Sequence, residues 1–392
     1  MALTDSKQAA HSAARISSID LLRGIVMVVM AIDHVRVYSG IPAGGTDYGI
    51  FFTRWVTNFC APAFVFLAGT GIFLYANSGR TRAELVRYLV VRGLLLVLLE
   101  LTVIRFCWTF NIDYAKFTLA GIIWMLGWCM VGMAALTALP PAAVGIIGIA
   151  IVSFQSLFGL VPGLLPSSWS RYMPIGYFWE FIYPSGLEWP PGVVILYVLV
   201  PWIGVMAMGY GIGPLFRLDV ARRRRICLWT GLGAIAVYLV IASIVTARQS
   251  GSGGSHLPFL LRLLNQRKYP ASQLFLLMTL GPLVALLPWA ERQKNRIARL
   301  LTTFGRVPLF FYLLHIPTIH IGSMIINYFR GGSFGSQWYG TAPDVYVPPE
   351  HRWPLYLLYI EWACDIVFLY YLCRWYARYK NAHPGNRWLK FL

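Results

Sequence analysis

The sequence predicts an all-α fold: a polytopic membrane helix bundle of about ten transmembrane helices. Three observations support this prediction. Of the 392 residues, 58% are hydrophobic and only 12% are charged, which is the composition of an integral membrane protein rather than of a soluble domain. Apolar runs of spanning length recur along the whole chain. The basic residues cluster in short segments between these runs, as they do in membrane proteins of defined orientation.

The apolar runs define the predicted spans and the domain organisation. Pro140-Pro141 divides the long apolar stretch from Thr118 to Leu160, and we interpret this pair as a tight turn between two spans. We expect a cytoplasmic N-terminal segment over 1–16, a single transmembrane domain over 17–375 and a basic cytoplasmic tail over 376–392. The predicted spans lie at 17–38, 55–77, 85–107, 118–137, 140–160, 191–213, 226–247, 271–290, 305–328 and 353–374.

The distribution of charge predicts which side of the membrane each loop occupies. If both the N-terminus and the C-terminus are cytoplasmic, the loops on that side, apart from the Pro-Pro turn, are strongly basic, as the positive-inside rule requires. The net charge of +18 therefore reflects topology, and we expect no nucleic acid partner because no exposed basic domain remains. The basic loop residues are Arg80, Arg82, Arg87, Arg92, Arg217, Arg222–Arg225, Arg292, Lys294, Arg296 and Arg299.

The loops predicted on the opposite side are longer than simple connections require. They are Val161–Pro190, Arg248–Pro270 and Gly331–Trp353. Connections without a function are usually shorter than this. We expect these loops to shape a site that opens to the outer side of the membrane.

The first span, Ser17–Tyr38, combines an apolar composition with several ionisable side chains. Such groups are costly inside a bilayer, about 2.5–3.5 kcal/mol each near a helix centre, so each is a candidate functional residue. Arg23 and His34 are 11 residues apart, which places them on one stripe of the helix, about 16 Å apart along its axis. Met27 and Met30 lie close to this stripe, so its middle is apolar.

Asp33 precedes His34 directly, and neighbouring side chains on a helix point about 100° apart. A direct contact that orients His34 therefore requires bending at the helix end. Other roles remain open for the two basic groups. Arg23 can extend to the inner lipid headgroups, and His34 can be an interfacial histidine.

The second span places Arg54, Asn58 and Pro62 on one helical face, because they are spaced at fours. Arg54 lies at the same predicted membrane level as His34. We interpret Arg54 and Asn58 as candidate substrate contacts, while a membrane-interface anchor remains an alternative for Arg54.

Three carboxylates lie within later spans: Glu100 in the third, and Glu361 and Asp365, four residues apart, in the tenth. Carboxylates in hydrocarbon must face the protein interior, be paired or be protonated. The simplest account is an ion pair with Arg23, Arg54 or Arg105. Substrate contact is the functional interpretation of Glu361 and Asp365.

The ninth span carries Arg306 at its cytoplasmic end and His315 about 13 Å further along the helix, near the midplane. Pro317 removes a backbone hydrogen bond beside His315 and should bend the helix. His315 then either lines a polar cavity or is satisfied by a freed carbonyl group.

No nucleotide-binding, serine-hydrolase or zinc-protease motif is present, and we expect no metal. The six cysteines form no CxxC pair and are interpreted as packing residues. Histidines, carboxylates and arginines within a membrane are typical of general base catalysis or of proton-coupled transport. A tunnel connecting Arg23 to His34 across the membrane would favour acyl transfer, and one central cavity around Glu361 and His315 would favour transport.

Four segments carry a family resemblance, which extends from Ser17 to about Trp375. In order, they read SIDLLRGIVMVVMAIDHVR, FFTRWVTNFCAPAFVFLAGTG, KYPASQLFLLMTLGP and FGRVPLFFYLLHIP. Together they resemble the bacterial heparan-α-glucosaminide N-acetyltransferase catalytic-domain-like family. The wider group is the transmembrane acyltransferases, including acyltransferase-3 proteins that O-acetylate polysaccharides. Those carry an arginine and a histidine on the first helix with ten residues between them, the spacing of Arg23 and His34.

The resemblance implies an activity and roles for the matching residues. It implies that the protein transfers an acetyl or other acyl group from acyl-CoA, acetyl-CoA in the first instance, to a glycan or amino-sugar acceptor. His34 would be the catalytic base, with His315 still open as an alternative, and Asp33 a further catalytic candidate. Arg23 would help to hold acyl-CoA, together with Arg306. It also implies a protein of the bacterial cytoplasmic (inner) membrane, surrounded by lipid bilayer and compatible with a homo-oligomer.

Overall fold

The computed structural model describes residues 2–164, 173–184, 189, 192–250, 257–383, 386 and 389. It confirms the all-α prediction, since helices dominate the described residues and the only two strands are three residues long. The predicted loops Val161–Pro190 and Arg248–Pro270 lie partly outside the described residues, and so does the predicted basic tail.

The α-helices of the described residues are numbered in chain order. They are α1 Ala2–Ser39, α2 Tyr48–Thr57, α3 Cys60–Ala76, α4 Arg82–Leu99, α5 Arg105–Thr109, α6 Ile122–Leu136, α7 Pro141–Ser153, α8 Val161–Leu164, α9 Met173–Ile182, α10 Trp202–Gly211, α11 Val220–Ser250, α12 Phe259–Leu264, α13 Gln273–Ala290, α14 Arg296–Arg306, α15 Pro308–Gly331 and α16 Leu355–Ala382.

Five helical segments among the described residues are long and apolar enough to cross a membrane. A sixth candidate is the pair Pro141–Ser153 and Gln155–Leu164, which is bent by 57°. Helix α6 is apolar but shorter. The further spans of the predicted ten, and the side on which each terminus lies, remain predictions. The five segments are Tyr48–Ala76, Val220–Arg248, Gln273–Ala290, Pro308–Gly331 and Leu355–Ala382.

Two predicted spans begin as strands rather than as helices. Strand β1, Thr118–Ala120, pairs in parallel with β2, Val193–Ile195, so that Thr118 lies opposite Val193. The third predicted span is also irregular, because α4 continues into a π-helical turn, Glu100–Ile104, before α5. Non-helical backbone at membrane depth is tolerated where it is buried in protein or lines a cavity. These irregular segments therefore indicate where an internal site lies.

Helix α1 is the centre of the bundle, with α2, α3, α13, α14, α15 and α16 packed around it. Met27, Ala31 and Val35 on α1 are completely buried. Glycines bring α1 and α14 into backbone contact: a Cβ atom on Gly24 would overlap the Leu301 carbonyl group, and one on Gly305 would overlap the Asp20 carbonyl group. This close approach fixes the end of α1 that carries Arg23.

Replacing Gly24 with valine should destabilise the protein by about 1–3 kcal/mol, because the new side chain would force α1 and α14 apart. Thermal unfolding of the detergent-purified protein measures this effect. Gly233→Val on α11 is the matched control, since no atom lies within 4 Å of a Cβ at Gly233. Equal unfolding temperatures for the two variants would contradict the proposed backbone contact.

The predicted ion pairs of the membrane carboxylates are wrong. Within the described residues, Glu100, Glu361 and Asp365 form no ion pair with any arginine. The Oε2 atom of Glu100 instead accepts a hydrogen bond of 3.1 Å from the backbone N–H of Ile123, and so caps α6. Arg105 is satisfied by backbone carbonyl groups, including that of Phe117 at 2.8 Å. Backbone groups freed by the irregular segments thus replace the expected charged partners.

Candidate active site

The structure brings two of the predicted catalytic residues into direct contact. His34 on α1 and His315 on α15 are 281 residues apart in sequence, and His34 Nδ1 lies 2.7 Å from His315 Nε2. His315 is completely buried, whereas His34 is partly exposed to a cavity. The side chain of Trp108 packs edge-on against His34, with ring centroids 5.0 Å apart. The two histidines therefore form a hydrogen-bonded pair, and only His34 of the two lines a cavity.

The hydrogen bonds around this pair determine where the protons lie when both rings are neutral. His315 Nδ1 is 2.7 Å from the backbone carbonyl oxygen of Tyr312. A carbonyl oxygen only accepts, so His315 Nδ1 must donate and its Nε2 must be the accepting nitrogen. His34 Nδ1 consequently donates to His315 Nε2, and the lone pair of His34 is on Nε2. Within the described residues, this second nitrogen of His34 makes no hydrogen bond.

A cavity of about 350 Å³, here named the histidine cavity, lies beside His34. Asp33 lines it as well, but its Oδ1 atom accepts a hydrogen bond of 2.8 Å from Arg36 Nε rather than one from the His34 ring. The cavity wall includes the paired residues Leu119 of β1 and Val194 of β2, and part of the loop before α13. Further lining residues are Met30, Arg36, Thr57, Cys60, Glu100, Trp108, Gly121, Ile122, Leu196, Tyr197, Lys268, Tyr269, Tyr312 and Asp344.

A second cavity of about 290 Å³, here named the arginine cavity, is lined by Arg23 and Arg92. Arg23 Nη2 donates to the Leu67 carbonyl oxygen at 3.0 Å, and Arg23 Nη1 lies 3.5 Å from Asp20 Oδ1. The rings of Tyr75 and Tyr88 stack with centroids 4.2 Å apart on the wall of this cavity. The cavity thus combines guanidinium groups with flat aromatic surfaces.

The two cavities adjoin, because Ile122 and Tyr312 line both of them. The cavities together follow α1 from Arg23, which lines one, to His34, which lines the other. The sequence criterion for acyl transfer is a tunnel that joins these two residues. The shared wall residues agree with it, and a continuous tunnel remains a prediction. Neither Glu361 nor His315 lines either cavity, so the arrangement expected for proton-coupled transport is not observed among the described residues.

Five other predicted residues lie away from the cavity walls. Arg54 donates to the Ala43 carbonyl oxygen at 2.7 Å, and Asn58 is buried at the break between α2 and α3. Arg306 is the exposed last residue of α14. Glu361 and Asp365 are buried on α16. A Cβ atom on Gly322 of α15 would overlap Glu361 Oε1, so this carboxyl group is packed against α15. Substrate contact by Arg54, Asn58, Glu361 and Asp365 remains a prediction, and so does donor binding by Arg306.

Five residues that line the cavities were not predicted as site residues from the sequence: Lys268, Tyr269, Tyr197, Tyr88 and Arg92. One signal was present, because Lys268 and Tyr269 begin the KYPASQLFLLMTLGP segment that carries part of the family resemblance. Arg92 was counted only as a topological charge. Tyr197 and Tyr88 are two of 22 tyrosines in the chain. Only tertiary contacts distinguish the tyrosines that line a cavity from the rest.

The comparison with protein families is decisive for this chain. The family model described as heparan-alpha-glucosaminide N-acetyltransferase, catalytic, matches residues 15–244, which is more than half of the 392 residues. The chain belongs to this family. Membership in the heparan-alpha-glucosaminide N-acetyltransferase catalytic family implies a transmembrane acetyltransferase. A search of the curated proteins returned no match.

The heparan-alpha-glucosaminide N-acetyltransferase match covers only part of the site described above. It includes Arg23, Asp33 and His34 on α1, together with Arg54 and Asn58. His315, Arg306, Glu361 and Asp365 lie beyond residue 244, where the matched region ends. His315 is connected to the matched region by its hydrogen bond to His34.

Proposed function

We propose that the protein transfers an acetyl group from cytoplasmic acetyl-CoA to a hydroxyl or amino group of a sugar acceptor on the outer side of a bacterial inner membrane. The observation that carries this proposal is the pair of adjoining cavities that leads from Arg23 to His34. Acetyl-CoA is too polar to cross a bilayer, so its thioester must reach the acceptor through the protein. The proposal includes the predicted ten spans, with both termini in the cytoplasm.

The arginine cavity supports binding of the nucleotide end of the donor. Guanidinium groups bind phosphate by charge-assisted hydrogen bonds, and Arg23 and Arg92 both line the cavity. Tyr75 and Tyr88 offer ring faces on which a purine can stack. The pantetheine arm would then pass Ile122 and Tyr312 and carry the thioester into the histidine cavity.

His34 supports general base catalysis in the histidine cavity. Its Nε2 lone pair would take the proton from the acceptor hydroxyl or amine as that group attacks the thioester carbonyl carbon. The C–S bond then breaks, and the same proton passes from His34 to the leaving sulfur atom of CoA. His315 holds the His34 ring in the required tautomer. Lys268, Tyr197 and Asp344 line the cavity and would contact the acceptor. Arg54 and Asn58 are close in sequence to Thr57, which also lines the cavity, and would contact a more distant part of the acceptor.

Narrowing the junction between the cavities tests the proposal. Ile122→Trp should lower the transfer of radiolabelled acetyl groups from acetyl-CoA to a mixed glycan pool about 100-fold in proteoliposomes, because the larger side chain blocks the path of the thioester. Ile146→Trp is the matched control, since Ile146 is 66% exposed on α7 and lines neither cavity. A failure of the wild-type protein to consume acetyl-CoA with any acceptor would contradict the proposed function.

Removing a phosphate-binding group gives a separate prediction. Arg92→Ala should raise the KM for acetyl-CoA about 10-fold and leave kcat nearly unchanged, because binding that is equal in the ground and transition states affects only KM. Steady-state kinetics with varied acetyl-CoA measure this effect. Arg306→Ala tests the predicted role of Arg306 in the same assay. The location of Arg306 outside both cavities leads us to expect a smaller change in KM.

A further inference from the structure

Glu100 is a buried carboxyl group in which one oxygen accepts a hydrogen bond and the other has no hydrogen-bond partner among the described residues. Its side chain is completely buried, and its Oε2 atom accepts the Ile123 N–H at 3.1 Å. The Oε1 atom makes no hydrogen bond to any described residue. A polar atom buried in this way costs free energy unless a bound molecule supplies the missing partner.

Glu100 lies close to the place where the two cavities meet. Glu100 lines the histidine cavity, and it binds the backbone segment that separates the cavities. Within that segment, Gly121 and Ile122 line the histidine cavity, and Ile122 and Ile123 line the arginine cavity. Gly121 leaves the space that the oxygen occupies, since a Cβ atom there would collide with Oε1.

The local backbone is specialised to present this group. Glu100 is the first residue of the π-helical turn Glu100–Ile104, which interrupts the helix formed by α4 and α5. Single π-helical turns are rare and occur frequently at functional sites, because the added residue redirects a side chain. Capping α6 requires only one carboxyl oxygen. The second oxygen therefore needs another explanation.

We propose that Glu100 Oε1 accepts a hydrogen bond from an amide N–H of the pantetheine arm as the acyl donor passes between the cavities. This inference rests on the proposed function and assigns a positioning residue to its donor site. The arm carries two amide groups, and the amide nearer the sulfur lies only a few atoms from the thioester. An amide N–H taken from water into a membrane protein must find an acceptor there. Glu100 Oε1 is such an acceptor, and its bond would fix how far the thioester extends towards His34.

Glu100→Gln tests the proposal while keeping the shape of the side chain and one oxygen to cap α6. The amide NH₂ group then occupies the position of Oε1 and cannot accept a hydrogen bond. It cannot bind the pantetheine carbonyl oxygen instead, because the N–H and C=O bonds of a trans amide point in opposite directions. We expect the Kd for acetyl-CoA, measured by calorimetry in nanodiscs, to rise about 10-fold.

Adenosine 3′,5′-bisphosphate is the matched control ligand, because it carries the phosphates and the purine but no pantetheine arm. Its Kd should be the same for E100Q and the wild-type protein. Glu291→Gln is the control variant, since Glu291 is a carboxyl group that pairs with Arg223 and Arg224 and lines neither cavity. It should leave both Kd values unchanged.

A donor analogue tests the same bond without depending on the folding of a variant. Acetyl-CoA methylated on the amide nitrogen nearer the sulfur should bind the wild-type protein about 10-fold more weakly than acetyl-CoA, and E100Q should bind both equally. Equal binding of the two donors by the wild-type protein would overturn the inference, and so would an equal loss of acetyl-CoA and adenosine 3′,5′-bisphosphate binding in E100Q. If the wild-type protein bound neither ligand, the donor proposal would fail as well.

Discussion

Replacing His34 with alanine should lower kcat for acetyl transfer at least about 10³-fold, while the Kd for acetyl-CoA changes little. General base catalysis contributes about 10²–10⁴-fold to the rate, and His34 is the one histidine among the described residues that line the cavity. His34 lines the histidine cavity, whereas the nucleotide end of the donor would bind about 16 Å away, at Arg23. Single-turnover transfer from radiolabelled acetyl-CoA separates the chemical step from binding.

His383→Ala is the control for the His34 prediction, because His383 is exposed beyond α16 and only contacts Tyr379 within the described residues. It should keep wild-type activity. The wild-type rate should also fall as the pH is lowered, since a protonated imidazole has no lone pair with which to accept a proton. Turnover that survived in His34→Ala would contradict the assigned base and would make His315 the group to examine.

Replacing His315 with leucine should lower kcat about 10²-fold, the second largest effect that we expect. His315 does not reach the histidine cavity, so its role is to position His34. Without the acceptor at His315 Nε2, the His34 ring is free to rotate or to adopt the other tautomer, and small displacements of a catalytic group cost about this much. Loss of the buried hydrogen bond from His315 Nδ1 to the Tyr312 carbonyl oxygen would add a smaller loss of stability. Transfer kinetics and thermal unfolding, measured together, separate the two effects.

His315→Gln distinguishes positioning from simple packing. Its amide oxygen can accept the His34 Nδ1 hydrogen, and its NH₂ group can donate to another acceptor nearby. We therefore expect His315→Gln to recover at least about 10-fold of the kcat that His315→Leu loses. If leucine and glutamine had equal effects on kcat at equal stability, the hydrogen bond between the two histidines would have no role in catalysis.

The sequence by itself determined the class of the fold and which ionisable side chains share one face of α1. Hydropathy and charge give an all-α membrane protein, because the cost of an unsatisfied backbone in lipid leaves helices as the main option. The 3.6-residue period places Arg23 and His34 on one stripe of a continuous helix, and α1 is continuous over Ala2–Ser39. Four quoted segments also identified the family, which the match over residues 15–244 confirms.

Only the tertiary structure decided which groups meet. The partner of His34 is His315, 281 residues away, and not the adjacent Asp33, whose carboxylate pairs with Arg36. Glu100 caps a helix rather than pairing with an arginine. Sequence periodicity fixes the face of a helix on which a side chain lies, since that depends on local geometry alone. The neighbour that this face meets depends on helix packing, and on irregular turns such as Glu100–Ile104 that change the face itself.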